Sequence, residues 1–231
     1  ERNYTSNIFQ VKKSNSKFSK VDIPFITYEA LTVAMLEDSL VKTIYFTDAD
    51  AINKGNWQII KSQPTDSMLK PMMHRSDNFY AEQTLLMVSN EKLGEMNASK
   101  IIDTLLKTDL AGIPQKPRWV DGSGLSRYNL FTPEDFVWVL TKMKNEFDWK
   151  RISTIFATGN TGTLKNYYTN YSGKIFAKTG TLSNQVALSG YLIAKSGKQL
   201  VFSVIVNNHQ TSASNIRRAV EAFLIEVMEK N

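Results

Sequence analysis

The spacing of apolar positions changes along the chain, and the changes divide it into elements. Near the start, Tyr28, Leu31, Met35, Leu36 and Leu40 recur three and four residues apart, which predicts an amphipathic helix with Thr27 as its N-cap. Two β-like runs follow, Thr43–Thr47 and Trp57–Lys61, separated by polar Asp-Ala-Asp and Lys-Gly-Asn turns, and they read as a short hairpin or a pair of edge strands. Helical spacing returns over Thr65–Met73 and again from Phe79 through Leu85, Leu86 and Val88, so Ser76-Asp77-Asn78 falls at a helix junction. Further helices are predicted over Ala98–Leu106, Pro133–Met143 and Trp149–Phe156. Thr132 is placed to cap the second of these, with Pro133 at its first position.

Beyond Gly173 the period falls to two. Lys174–Thr181, Val186–Ala194 and Gln199–Val206 predict three adjacent antiparallel strands, the last two joined by the turn Lys195-Ser196-Gly197-Lys198. The terminal segment Ser214–Lys230 places Ile216, Val220, Phe223, Leu224, Val227 and Met228 on one face, a helix that packs against the sheet. The pattern is that of an α/β domain.

Composition narrows the function classes. With 231 residues and four Trp, the chain can bury a core as one domain, or as one domain with a small appendage. No run approaches the roughly 18 uninterrupted apolar residues of a membrane span, and Glu1–Gln10 lacks the grammar of a signal peptide. The absence of cysteine removes disulfides, thiolate catalysis and cysteine metal sites. His74 and His209 lie far apart, with no metal-ligand spacing around either, and read as ordinary surface residues. No metal or organic cofactor is implied. A net charge of +6 favours an anionic partner, but the basic residues are scattered and form no stripe with interleaved aromatics. That argues against nucleic acid and suits an acidic polymer or a small carboxylate.

Three motifs carry chemistry: Ser76-Asp77-Asn78, Asp121-Gly122-Ser123-Gly124-Leu125-Ser126-Arg127, and Lys178-Thr179-Gly180-Thr181. S-D-N and K-T-G are two of the three elements of a penicillin-type serine acyl-transfer site, the third being S-x-x-K on a helix. Either tripeptide alone is weak, but the two in this order, the second on a strand, are much stronger. Plainer readings stand beside them: Ser76 as a helix N-cap, Lys178 as a solvated strand lysine, Arg127 as an anchor for its own glycine-rich loop.

The nucleophile is the difficulty. The string S-x-x-K occurs at Ser14 with Lys17, Ser67 with Lys70 and Ser89 with Lys92. Ser67 precedes Ser76 by nine residues, roughly 13 Å along a helix, too far for a shared hydrogen-bond network. Ser89 lies on the far side of the helix after S-D-N, and Ser14 sits in a polar segment without apolar helix context. The nucleophile is therefore expected outside this chain.

The run Asp121–Asn129, with Gly162-Thr163-Leu164, Ala177–Leu182 and Leu69–Ala81, resembles the high-molecular-mass D-alanyl-D-alanine carboxypeptidases, the DacB-like S13 peptidases of penicillin-binding protein 4 type. The similarity runs from about Tyr28 to the C-terminus. It implies the penicillin-binding, serine β-lactamase-like transpeptidase fold, an antiparallel sheet with helices on both faces. It further implies that residues 1–231 are the C-terminal part of that domain, with the S-x-x-K segment and accessory domains upstream, and that an apolar surface remains where the upstream segment packs. By the same resemblance, Ser76 relays protons to the leaving D-alanine nitrogen, Asn78 bonds a substrate amide carbonyl, and Asp77 is structural. Lys178 holds Ser76, Thr179 binds the terminal carboxylate, Gly180 admits the substrate, and the Thr181 N–H is an oxyanion donor. Arg127 faces a side-chain carboxylate of the peptidoglycan stem, with Leu125, Leu182 and Ser183 lining the same pocket. The implied activity is a cofactor-free carboxypeptidase or endopeptidase of the periplasm or cell envelope, with stem peptides, β-lactams and its own N-terminal part as partners. A paralogue without a nucleophile, binding wall peptide or β-lactam without turnover, is the alternative. A β-lactamase needs a water-activating residue that no motif here supplies.

Overall fold

Side chains alternate between the two faces of three long strands, and that alternation sets the centre of the fold. In the computed structural model, which describes residues 5–10, 13, 25–47, 55, 58 and 61–231, the chain divides into two units, Glu1–Lys61 and Ser62–Asn231.

The second unit holds a four-stranded antiparallel sheet in the order β1 (Ala157–Thr158), β2 (Ile175–Leu182), β3 (Gln185–Ile193) and β4 (Gln199–Asn207). On one face Ile175, Ala177, Leu188 and Leu192 pack against Val220, Leu224 and Met228 of α7 (Ala213–Lys230). On the other, Phe176 and Tyr191 pack against Leu140 of α5 (Pro133–Glu146) and Ile152 of α6 (Trp149–Ile155). Trp149 meets the rings of Phe176 and Tyr191 edge-on, at centroid distances of 5.1 and 5.3 Å. The fully enclosed Tyr191 hydroxyl donates to Leu140 O at 2.8 Å, and burial pushes its pKa up to about 12. Tyr191 thereby fastens β3 to α5 with an apolar body and one satisfied polar atom.

Helix starts follow the expected cap chemistry. Thr132 and Asp135 form a reciprocal capping box at α5, and the buried Asp135 also accepts from Gln115 N at 3.0 Å. Ser212 caps α7, and Asn97 caps α4 (Ala98–Lys107), whose Ile101 and Ile102 are buried with Leu85 of α3 (Asn78–Leu93). On α3, Phe79 and Met87 remain exposed. Phe223, expected on the inner face of α7, is 55% exposed. The sheet takes the i, i+4 row Val220, Leu224 and Met228, and Phe223 lies about 100° round the helix from the middle of that row.

The first unit contains α1 (Glu29–Leu40), capped at Tyr28 without a side-chain bond, so Thr27 is not the cap. No residue of α1 is buried, and Tyr28, Met35, Leu36 and Leu40 are exposed. Thr43–Thr47 forms no strand; Tyr45 and Phe46 stand exposed, and Ile44 N donates to Glu37 Oε1 at 2.9 Å instead of pairing in a ladder. Within Trp57–Lys61 only Gln58 and Lys61 lie among the described residues, neither of them in a strand. Asn7 clamps Ile26 by two bonds of 2.7 and 2.8 Å, and the rings of Phe9 and Phe25 stack. Among the described residues, no helix is long and apolar enough to cross a membrane.

Neither histidine is an ordinary surface residue. The Nε2 atoms of both are enclosed and have no hydrogen-bond partner among the described residues, and His209 Nδ1 lies 2.8 Å from Thr211 O. His74 is in the last turn of α2 (Asp66–Arg75), where Gly162 packs so closely that a Cβ there would come within 2.7 Å of His74 O. Burial first, and then the nearby Lys70, hold its imidazole below the ordinary 6.5.

Two outcomes follow from this packing. A Cβ on Gly190 would meet Phe176 O at 2.1 Å and Ala177 Cα at 2.7 Å, so Gly190→Ala is expected to lose about 2–3 kcal/mol in urea unfolding. His74 protonates more readily in the unfolded chain than in the fold, so its contribution is complete above about pH 6.5 and is lost as pH falls towards the lowered folded value. His74→Gln should flatten that part of the stability–pH profile.

Candidate active site

Where α2 meets α3, the backbone turns at Ser76 with φ 53° and ψ 54°, a left-handed conformation that costs a serine of the order of 1–2 kcal/mol. Two bonds to Met72 O, from Ser76 N and from Asp77 N at 3.0 Å, close the helix end over that turn. Asp77 starts the next helix by accepting from Tyr80 N at 3.0 Å. Asp77 is thus the N-cap, and the Ser76 side chain is free to leave the helix axis.

That side chain reaches β2. Lys178 Nζ donates to Ser76 Oγ and, at 2.7 Å, to Thr179 O. Lys178 is largely enclosed, no carboxylate forms an ion pair with it among the described residues, and burial pushes its ammonium below the ordinary 10.5. It is not a solvated strand lysine. Two motifs a hundred residues apart in sequence therefore meet at one hydrogen bond.

The register of β2 decides what else faces the site. Ile193 N donates to Lys174 O, so by antiparallel alternation the backbone groups of Thr179 and Thr181 point away from β3. On that outer side β1 pairs only with Phe176 and Ala177, which among the described residues leaves the edge from Lys178 to Leu182 open. Gly180 has neither a positive φ nor close packing, since a Cβ there would meet only Ala187 Cβ at 3.4 Å. The fold itself does not require a glycine at that position.

The glycine-rich loop is braced by its own Asp121 and by Glu82, a residue that sequence reasoning passed over. Asp121 accepts from Gly124 N, Ser126 N and Asn129 Nδ2, at 2.6, 2.8 and 3.0 Å. Glu82 of α3 accepts from Gly122 N and Ser123 N at 3.0 and 2.9 Å. A Cβ at Gly122 would come within 2.7 Å of Ala81 O, so this loop lies directly against the helix that follows S-D-N. Arg127 does not anchor its own loop. Its Nη2 instead donates across to Ser183 O at a long 3.4 Å, which brings it beside the β2–β3 turn. Leu125 is exposed on the loop, Leu182 is half-buried at the end of β2, and Ser183 is exposed. Asn78 is the exposed first residue of α3.

Two further groups adjoin the strand. Arg217 of α7 donates to Thr181 Oγ1 at 2.7 Å, and with Thr163, Leu164 and Thr179 it lines a cavity of about 20 Å³ behind β2. No spacing pointed to Arg217, which is 36 residues from Thr181 on a helix chosen for its apolar face. Of the S-x-x-K strings, Ser89 is fully buried as a latch: its Oγ donates to Glu95 O at 2.6 Å and accepts from Asn97 N at 3.0 Å. Ser67 is exposed near the start of α2, and Ser14 lies outside the described residues.

Residues 42–227 match the D-Ala-D-Ala carboxypeptidase 3 (S13) family. A D-alanyl-D-alanine carboxypeptidase of Actinomadura sp. (strain R39) is 32% identical over 167 residues, covering 66% of this chain and 30% of that protein. The D-alanyl-D-alanine carboxypeptidase DacB of Haemophilus influenzae is 29% identical over 160 residues, 65% of this chain and 33% of its own. The chain thus matches about a third of the length of these relatives. Penicillin binding protein 4 from Haemophilus influenzae, solved in complex with a β-lactam, superposes with a TM-score of 0.64 at 24% identity, over 73% of this chain and 42% of that one. That likeness shows the fold: a mixed α/β, penicillin-binding-protein architecture with an antiparallel sheet between helices. Given a family match over most of its residues, this chain belongs to the D-Ala-D-Ala carboxypeptidase 3 (S13) family.

Proposed function

We propose that this chain carries the S-D-N and K-T-G parts of a serine D-Ala-D-Ala carboxypeptidase or endopeptidase, which cleaves peptidoglycan stem peptides through an acyl-enzyme in the periplasm or cell envelope. The observation that carries the reading is the Lys178–Ser76 hydrogen bond, which joins the two motifs in one network. A stem peptide would lie along the open edge of β2 as an added strand, bonded through its main chain. The nucleophile's oxygen attacks the carbonyl carbon of the penultimate D-Ala while its proton passes by way of the upstream S-x-x-K lysine to Ser76, and the Thr181 N–H donates to the oxyanion. The C–N bond then breaks, and Ser76, oriented by Lys178, hands a proton to the departing amine. Water releases the acyl group. Asn78 bonds a substrate carbonyl, Thr179 the terminal carboxylate, and Arg127 a stem carboxylate near Leu125, Leu182 and Ser183. β-Lactams would enter as substrate mimics.

The nucleophile is proposed to come from an S-x-x-K helix upstream of this chain, with residues 1–231 as the C-terminal part of the penicillin-binding domain. Supporting this, Ser89 already serves as a structural latch and Ser67 lies nine residues before Ser76 on an exposed helix face. Intact-mass measurement after incubation with benzylpenicillin tests it. An adduct on the full-length protein and none on this chain is the expected result. An adduct on this chain would overturn the upstream nucleophile, and no adduct on either would favour a binding-only paralogue.

In the full-length protein, Lys178→Ala should slow acylation by about 100-fold or more while changing unfolding free energy by only about 1–2 kcal/mol, the size of the lost Ser76 bond. Equal losses of stability and activity would make Lys178 structural. Gly180→Ala should leave the thermal midpoint nearly unchanged, because nothing in the fold opposes its Cβ, yet slow acylation by about tenfold. Unaltered acylation would contradict a substrate lying along β2.

A further inference from the structure

We infer that Arg217 is a positioning residue for the substrate's terminal carboxylate, acting through the Thr181 hydroxyl. This rests on the carboxypeptidase reading above and adds to it a residue outside the three motifs.

Direction comes from donor chemistry. A guanidinium has five N–H donors and no acceptor, so at the 2.7 Å contact Thr181 Oγ1 accepts. The hydroxyl's own proton must then point away from Arg217. Thr181 is exposed at the open edge of β2, so that proton is available to an acceptor arriving there. Without Arg217 the hydroxyl could turn either way and meet a carboxylate with a lone pair. With it, the hydroxyl is set as a donor.

Charge comes from the lack of a counter-ion. No carboxylate pairs with Arg217 among the described residues, whereas its neighbour Arg218 pairs with Glu221 at 2.6 Å and lies over the Tyr167 ring at 4.3 Å. Lys178, on the opposite face of the strand, is tied to a hydroxyl and likewise lacks a carboxylate. The four residues Lys178–Thr181 therefore run between two cations, each donating to a hydroxyl oxygen. Arg217 also borders the cavity behind Thr179, which places positive charge near both threonines. A field of this kind selects a peptide that ends in a free carboxylate over its neutral amide.

The contact also straps α7 to β2, and the test must separate that role from selection. The ¹⁵N-labelled chain is titrated with diacetyl-L-Lys-D-Ala-D-Ala and with the same peptide as its C-terminal amide, following the Thr179, Gly180 and Thr181 amide signals, with a thermal midpoint recorded for each variant. The wild-type chain is expected to bind the acid about tenfold more tightly than the amide. Arg217→Gln should lose about that factor for the acid and keep amide affinity within about twofold, and Arg217→Lys should recover part of it. Arg218→Gln should keep the wild-type ratio. An unchanged acid-to-amide ratio in Arg217→Gln, or equal losses for both peptides, would overturn the inference and leave Arg217 as a strap. Should Arg217→Gln fail to fold, Thr181→Val gives the same reading: a lost preference supports the inference and a kept one overturns it. No response of the wild-type signals to either peptide would overturn the inference, while the benzylpenicillin adduct on the full-length protein decides the carboxypeptidase reading separately.

Discussion

An ammonium buried without a carboxylate loses much of its hydration and recovers it only through hydrogen bonds. Lys178 has two such acceptors, Ser76 Oγ and Thr179 O, and each belongs to a different layer of the site. The serine stands at the end of a helix and the carbonyl on the open strand. Because both acceptors must be in place to satisfy one charge, the helix junction and the strand are held in mutual register. The left-handed backbone at Ser76 fits the same requirement, since it swings the hydroxyl off α2 towards β2. The rest of the unit sustains that geometry: Tyr191 locks β3 under α5, Gly162 packs on the His74 turn, and Glu82 draws the glycine-rich loop onto α3.

Two hydroxyls at the strand are governed in the same way. Lys178 donates to Ser76 and Arg217 donates to Thr181, and neither cation can accept in return. Each hydroxyl is thereby left with its proton free for a third group. For acyl transfer this is the useful polarity, because a leaving amine needs a proton and a carboxylate needs a donor. The free edge between Lys178 and Leu182 provides the place where both needs can be met by one extended peptide.

The elements that sequence made legible are those with strong local signals. The three strands of the terminal half, the Thr132 cap and the span of α7 lay within a residue or two of their expected bounds, because alternation, cap chemistry and helical spacing are local properties. The motifs were legible for the same reason, each being a short string on one element. What escaped was set by tertiary contact. The strand β1 is two residues long and exists only through its pairing with Phe176 and Ala177. Thr43–Thr47 has the composition of a strand but no ladder partner among the described residues, and Ile44 N bonds to the Glu37 carboxylate. The Nε2 atoms of His74 and His209 are enclosed by neighbours that sequence does not name. Arg217 and Glu82 reach the site from helices whose sequence reported only how they pack.

Ser76 and Lys178 are bonded across the helix–sheet boundary, and the geometry of the site depends on their energetic coupling. A double-mutant cycle measures this directly: unfolding free energies of the wild-type chain, Ser76→Ala, Lys178→Met and the pair. A charge-assisted hydrogen bond of this burial predicts a coupling of about 1–2 kcal/mol. Additivity within about 0.3 kcal/mol would mean that the two motifs stand side by side without interacting, and would contradict the account.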